Sequence, residues 1–220
     1  MTDKIAIVLG ASGLVGSALV EQLISYDNYK KIVTLTRRPV ANSSDKVTNH
    51  VVDFDQLNNY TELFHGDVLF SCLGTTKKIA GTIAAQRKVD LEYQFNAAKL
   101  AANHGLTHYV LVSSSGANVT SRSAYLKMKG ELEQQVLNLP FQRISILQPS
   151  LLLGKRANDS RFAESLGSYF LPFVCKLPGL RKYRPIAGHQ VAKKMLFITS
   201  QSGPKVEYFK LSDLFDTPNN

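Results

Sequence analysis

The chain has 220 residues, of which 44% are apolar and 20% charged, with 14 glycines, 8 prolines and 2 cysteines. Such a composition excludes collagen-like, low-complexity and disulfide-framework proteins, and the length suits one globular domain. Lys and Arg number 26 against 17 Asp and Glu, and the resulting charge of +9 favours anionic partners. No DNA- or RNA-binding motif accompanies that charge, so nucleic acid is not expected as a partner.

The opening MTDKIAIVLGASG holds an apolar run too short for a secretory signal. No stretch reaches the roughly 18 apolar residues of a membrane span. A cytoplasmic protein without a membrane span is expected. Cys72 closes an apolar run and reads as a small buried hydrophobe; Cys175 lies far from it in sequence.

Taken in chain order, Ile5–Leu9 predicts a buried strand, and Leu14–Ile24 a helix. Lys31–Thr36 is a second strand, followed by a polar loop through Ser43, Ser44 and Asp45. His50–Val52 is a short third strand and Asp67–Ser71 a fourth. One long helix is expected over Ile83–Asn103, with Gly105 as its stop. His108–Val112 is a fifth strand, Ala124–Leu137 a helix, and Ile144–Leu147 a sixth strand ended by Pro149. Near-continuous apolar strands separated by helices predict an α/β protein with a doubly wound parallel sheet, the Rossmann arrangement, as a single domain.

Beyond Pro149 the alternation fades. A helix is expected near Val191–Thr199 and an edge strand at Val206–Lys210. The chain therefore divides into a dinucleotide-binding core, 1–150, and a small C-terminal extension, 151–220, packed on the same domain. The aromatic and basic segment Phe162–Tyr183 reads as a lid, a partner surface or a core flap.

Gly10-Ala11-Ser12-Gly13-Leu14-Val15-Gly16 falls between the first strand and the first helix. Glycines there permit a sharp turn, close approach of a pyrophosphate to backbone N–H groups, and close packing of helix on sheet. The spacing G-x-x-G-x-x-G departs from G-x-G-x-x-G, but its position after an N-terminal buried strand points to a dinucleotide. The second strand ends in Thr36-Arg37-Arg38-Pro39, without the carboxylate that would bind ribose hydroxyls. Arg37 and Arg38 suit a 2′-phosphate, so NADP(H) is the expected cofactor. Asp53, after the third strand, has two readings: a contact to the adenine amino group, or a helix cap ahead of Gln56 and Leu57. Leu73 and Gly74, after the fourth strand, border the same crevice.

Tyr125 and Lys129 stand one turn apart on a helix that follows the fifth strand and Ser113-Ser114-Ser115-Gly116. Reduction of a carbonyl needs a proton for the developing alkoxide. A phenol can supply it, and a neighbouring ammonium stabilises the phenolate left behind. A serine hydroxyl orients the carbonyl; Ser114 is the first choice, with Ser115 close behind. Of the five histidines, His104 and His108 are four apart but flank Gly105 and share no helix face, so no metal site is expected.

Together, G-x-x-G-x-x-G, the post-strand arginines, the serine run and Tyr-x-x-x-Lys resemble the short-chain dehydrogenase/reductases. Ser71-Cys72-Leu73-Gly74-Thr75-Thr76, Ser113-Ser114-x-Gly116-Ala117 and Tyr125-Leu126-x-x-Lys129-Gly130-Glu131 are similar to the atypical, TIP30-like NAD(P)H-binding members and their bacterial relatives. The likeness runs over roughly the whole chain, most clearly from Ile5 to Arg156. It implies NADPH contacts by Ser12, Gly13, Leu14, Val15, Arg37, Arg38, Leu73, Gly74, Tyr125 and Lys129, with Arg156 at a further position near the cofactor. The interval from Ser114 to Tyr125 is shorter than those enzymes usually have.

Two functions follow as expectations. One is an NADPH-dependent oxidoreductase acting on a small carbonyl compound. The other is an NADP(H)-bound regulatory or redox-sensing protein with little turnover, presenting its tail to a protein partner or to a second copy.

Overall fold

A computed structural model describes residues 3–41, 44–154 and 184–216 of the chain. The strands are β1 (Lys4–Leu9), β2 (Tyr29–Thr36), β3 (Val47–Val51), β4 (Val68–Ser71), β5 (His108–Val112), β6 (Arg143–Gln148), β7 (Leu152–Leu153), β8 (Ile186–Ala187) and β9 (Val206–Lys210). Seven of them form one sheet in the order β3-β2-β1-β4-β5-β6-β9, and β7 pairs with β8 separately. Every pairing is parallel. The helices are α1 (Leu14–Ile24), α2 (Lys77–Ala80), α3 (Ile83–Arg87), α4 (Tyr93–Asn103), α5 (Ala124–Val136) and α6 (Gly188–Ser200).

Period-two alternation along β1 sends its side chains into two cores. Ala6 and Val8 join Leu19 and Leu23 of α1 and Val191 and Met195 of α6 on one face. Ile7 and Leu9 join Ala97 and Ala101 of α4 and Leu132 and Val136 of α5 on the other. Burying each such aliphatic side chain contributes about 1.5–3 kcal/mol, and both faces are covered, which is why the strands read as continuous apolar runs. β9 adds to the same sheet beside β6, and α6 lies against α1: a Cβ on Gly188 would fall 2.6 Å from the carbonyl oxygen of Leu14.

Two expectations changed on folding. The third strand lies at Val47–Val51, earlier than His50–Val52. It is the sheet edge and holds its place with polar contacts: the Asn49 amide donates to the Thr34 hydroxyl at 2.8 Å and to the Thr36 hydroxyl at 2.9 Å. The long helix expected over Ile83–Asn103 is interrupted by a π turn at Lys88–Glu92. The Gln94 amide answers the disturbed backbone, donating to the carbonyls of Val89 at 3.2 Å and Asp90 at 3.0 Å. Its oxygen accepts from Ser71 at 2.8 Å, which fastens the turn to β4.

The amino ends of β5, β6 and β9 are tied by a polar chain. Arg143 pairs with Glu207 at 2.6 Å, and the Ser145 hydroxyl donates to the same carboxylate at 2.6 Å. With its proton so placed, Ser145 accepts from Nε2–H of His108 at 2.8 Å. Burial, and then the charges of Arg143 and Lys4, hold the His108 imidazole down to about 3. A depressed histidine binds its proton more readily in the unfolded chain. Stability present above pH 6.5 is therefore lost as pH falls toward 3, by up to about 1.4 kcal/mol per pH unit. In urea unfolding at pH 7 and pH 5 we expect His108→Gln to lose less stability across that interval than the native protein. Equal losses would show that His108 does not set the acid sensitivity.

Candidate active site

Strand register gathers the site. Leu9 is level with Leu35 and Ser71, Ser71 with Leu111, and Val112 with Leu147. The residues that follow each strand, Gly10, Arg37, Cys72 and Ser113, accordingly stand along one carboxyl edge. The connections run to opposite sides of β1, toward β2 on one side and β4 on the other, which opens a crevice at that point of the edge.

The glycine turn occupies the crevice floor. Gly10 has φ +77°, and a Cβ there would meet the carbonyl oxygen of Cys72 at 2.6 Å. A Cβ on Gly16 would meet the carbonyl oxygen of Gly10 at 2.2 Å. Gly13 donates its N–H to Gly10 at 2.9 Å and caps α1 with extended backbone, no side-chain bond, and no acidic residue in the first turn. The first-turn N–H groups thus lack an internal side-chain acceptor at the positive end of the helix dipole, a donor set that fits a diphosphate. Ser12 is exposed at the tip of the turn, and Leu14 is half-buried against Gly154 and Gly188. Val15 is buried.

At the end of β2, Arg37 lines an open depression of about 520 Å³ with Val52, Asp53, Phe54 and Tyr93. Arg38 is exposed beside it, its carbonyl accepting from the Thr36 hydroxyl at 2.7 Å. Asp53 accepts from the backbone of Asp55 at 2.9 Å and from the Gln56 amide at 3.1 Å. It caps the 3-10 segment Phe54–Leu63 and lines the depression as well. Leu73 is half-buried and Gly74 exposed in the loop after β4.

Ser123 caps α5, and Tyr125 is half-buried in the first turn. Lys129, one turn further, is only 2% exposed; its ammonium donates to the Val112 carbonyl at 3.4 Å and lies 3.6 Å from Asp90 of the π turn. Gly130 lets the preceding loop close on the helix, since a Cβ there would lie 2.5 Å from the backbone of Asn118. That fold-back accommodates the short interval between Ser114 and Tyr125.

Of the three serines, Ser113 is buried and donates to Glu133, which also accepts from the Gln148 amide at 2.9 and 3.0 Å. Burial pushes the Glu133 carboxyl up, and those two hydrogen bonds and Lys129 draw it back. Ser114 and Ser115 are half-buried, and among the described residues the Ser114 hydroxyl has only a 3.5 Å contact to its neighbour's carbonyl. Burial holds the Cys72 thiol up at about 12, with Lys129 a partial offset. Asp90 and Glu133 were missed in the sequence. Arg156, Cys175 and the segment Phe162–Tyr183 lie outside the described residues.

Fold and edge together define a dinucleotide-binding protein of the Rossmann class. Residues 6–166 match the NAD dependent epimerase/dehydratase family, and the chain belongs to that family. It is an NAD(P)-binding protein of the oxidoreductase type. It is 38% identical over 174 residues to Protein HTATIP2 of Rattus norvegicus, spanning 77% of this chain and 71% of the relative. It is 32% identical over 226 residues to the mitochondrial protein FMP52 of Saccharomyces cerevisiae, spanning 96% and 94%. In fold it is similar to a short-chain dehydrogenase/reductase superfamily protein of Agrobacterium tumefaciens with bound NAD, at TM-score 0.71 and 14% identity over 94% of this chain and 77% of that one. A UDP-glucose 4-epimerase of Thermotoga maritima gives TM-score 0.68 and 15% identity over 96% and 80%. No helix among the described residues is long and apolar enough to cross a membrane.

Proposed function

We propose that the protein is an NADPH-dependent oxidoreductase that reduces a small carbonyl compound. The observation that carries this is the placing of Tyr125 and Lys129 on α5, with Lys129 reaching the end of β5 on the edge that bears the glycine turn. When bound, the reduced nicotinamide supplies hydride to the carbonyl carbon. The chain does the rest. The Tyr125 hydroxyl gives its proton to the carbonyl oxygen and regains one from solvent. The Lys129 ammonium stabilises the phenolate in between, and Ser114 donates a hydrogen bond that orients the carbonyl. Ser113, bound to Glu133, is left out of that role.

The 2′-phosphate of NADPH is assigned to Arg37 and Arg38, with Gly10, Gly13 and Gly16 shaping the diphosphate turn and Ser12, Leu14 and Val15 offering backbone N–H groups. Asp53 closes the adenine side, and Leu73 and Gly74 border the nicotinamide half. The fold neighbour from Agrobacterium tumefaciens carries NAD. In this chain two exposed guanidiniums follow β2, and they suit the extra phosphate. Arg37→Ala should weaken NADPH roughly tenfold to a hundredfold, as loss of charge-assisted hydrogen bonds does, and leave NADH nearly unchanged. Calorimetric titration of both nucleotides checks this; equal weakening of both would remove Arg37 from the phosphate site.

Turnover is tested with NADPH deuterated at the nicotinamide C4 against a panel of small aldehydes and ketones. Deuterium in the alcohol product supports the reading. NADPH binding without transfer to any carbonyl would favour the redox-sensing alternative. A cytoplasmic location belongs to this reading, and cell fractionation distinguishes it from the mitochondrial designation of the FMP52 relatives.

A further inference from the structure

The π turn at Lys88–Glu92 interrupts an otherwise α-helical stretch directly beneath α5, and π turns of this kind gather at functional sites. It carries Asp90, which has no exposed surface. One Asp90 oxygen accepts from the backbone N–H of Thr75 at 3.3 Å, in the loop after β4. The other lies 3.6 Å from the Lys129 ammonium and has no hydrogen bond among the described residues. The Thr75 carbonyl accepts from the Gln86 amide at 3.4 Å, so the loop is held on both sides. A buried ion pair seldom stabilises a fold more than apolar residues of similar size, so stability does not account for two charges at this place.

We propose that Asp90 is a positioning residue: its carboxylate fixes the Lys129 ammonium relative to the Gly74–Thr75 loop, so that one buried pair registers the proton-donor helix against the cofactor crevice. The inference rests on the reading of Lys129 as a cofactor-side group. Among the described residues, the charged and titratable groups facing Lys129 include Asp90 from the π turn, Glu133 from its own helix and the Cys72 thiol in the loop after β4. Glu133 is already engaged by Ser113 and Gln148. Asp90 is the anion whose free oxygen is turned to Lys129.

The test is a double-mutant cycle on NADPH affinity, using Asp90→Asn, Lys129→Met and the double variant, with urea midpoints measured alongside. Asp90→Asn should weaken NADPH roughly tenfold in the native background and change it little when Lys129 is already Met. If Asp90→Asn alone fails to fold because it strands a buried cation, the double variant carries neither charge and still decides the matter. It should match Lys129→Met in NADPH affinity. A merely structural Asp90 would lower the urea midpoint and leave the affinities uncoupled. Additive losses, or a double variant roughly tenfold weaker than Lys129→Met, would overturn the proposal while leaving the cofactor reading intact. Native protein that binds no NADPH would overturn both.

Discussion

Tyr125→Phe is expected to lower carbonyl reduction by roughly 10²–10⁴-fold, the usual worth of a positioned acid, while the fold stays intact. Tyr125 sits in the first turn of α5 behind the Ser123 cap and is half-buried, so the ring of Phe fills the same space and the helix keeps its start. Lys129 remains buried between the Val112 carbonyl and Asp90. What disappears is the proton donor alone. Steady-state rates together with urea midpoints separate the two effects. A variant that keeps the native rate would take the proton from another group, and the assignment of Tyr125 would fall.

Gly16→Ala should cost about 3 kcal/mol or more and abolish dinucleotide binding, although alanine is ordinarily the better helix former. The added methyl would lie 2.2 Å from the carbonyl oxygen and 2.7 Å from the carbonyl carbon of Gly10. These are backbone atoms of the turn itself, and Gly10 is in turn packed on the Cys72 carbonyl, so relief requires unseating the turn from β4. Ser17→Ala, at the next and exposed position of α1, is the matched control and should leave stability and binding near native. Thermal unfolding with and without NADPH measures both losses. A stable Gly16→Ala protein that still binds the nucleotide would mean that the turn tolerates a wider approach than its geometry allows.

The parts of the site that stand at strand ends were readable because a buried parallel strand and the turn after it print directly in sequence. Leu14–Ile24 and Val206–Lys210 fall where the apolar pattern placed them, and Gly105 does end its helix, at φ +79°. The third strand was misplaced because an edge strand held by Asn49 and its threonine partners carries no apolar alternation. The π turn was hidden because a helical pattern does not reveal one inserted residue. Asp90 and Glu133 were missed for a related reason. Both lie on buried stripes of their helices, Asp90 with Gln94, Ala97, Ala98 and Ala101, and Glu133 beside Leu132 and Val136. A carboxylate on such a stripe is the visible signal of a buried polar site. Its partners, Lys129 in one case and Ser113 with Gln148 in the other, become apparent only when the helices meet the sheet. Packing likewise separates Ser113, buried against Glu133, from the half-buried Ser114 and Ser115. For Asp53, the cap is made, and the residue also lines the depression that holds Arg37.

The measurement that tests the central claim most directly is a side-by-side titration of NADPH and NADH into the native protein, followed by calorimetry. Binding of NADPH on the order of tenfold or more tighter than NADH, with that preference falling as salt is raised, is the predicted result. Equal binding of the two would make the arginines after β2 bystanders and the protein an NAD(H) binder. Binding of neither would contradict the cofactor assignment altogether.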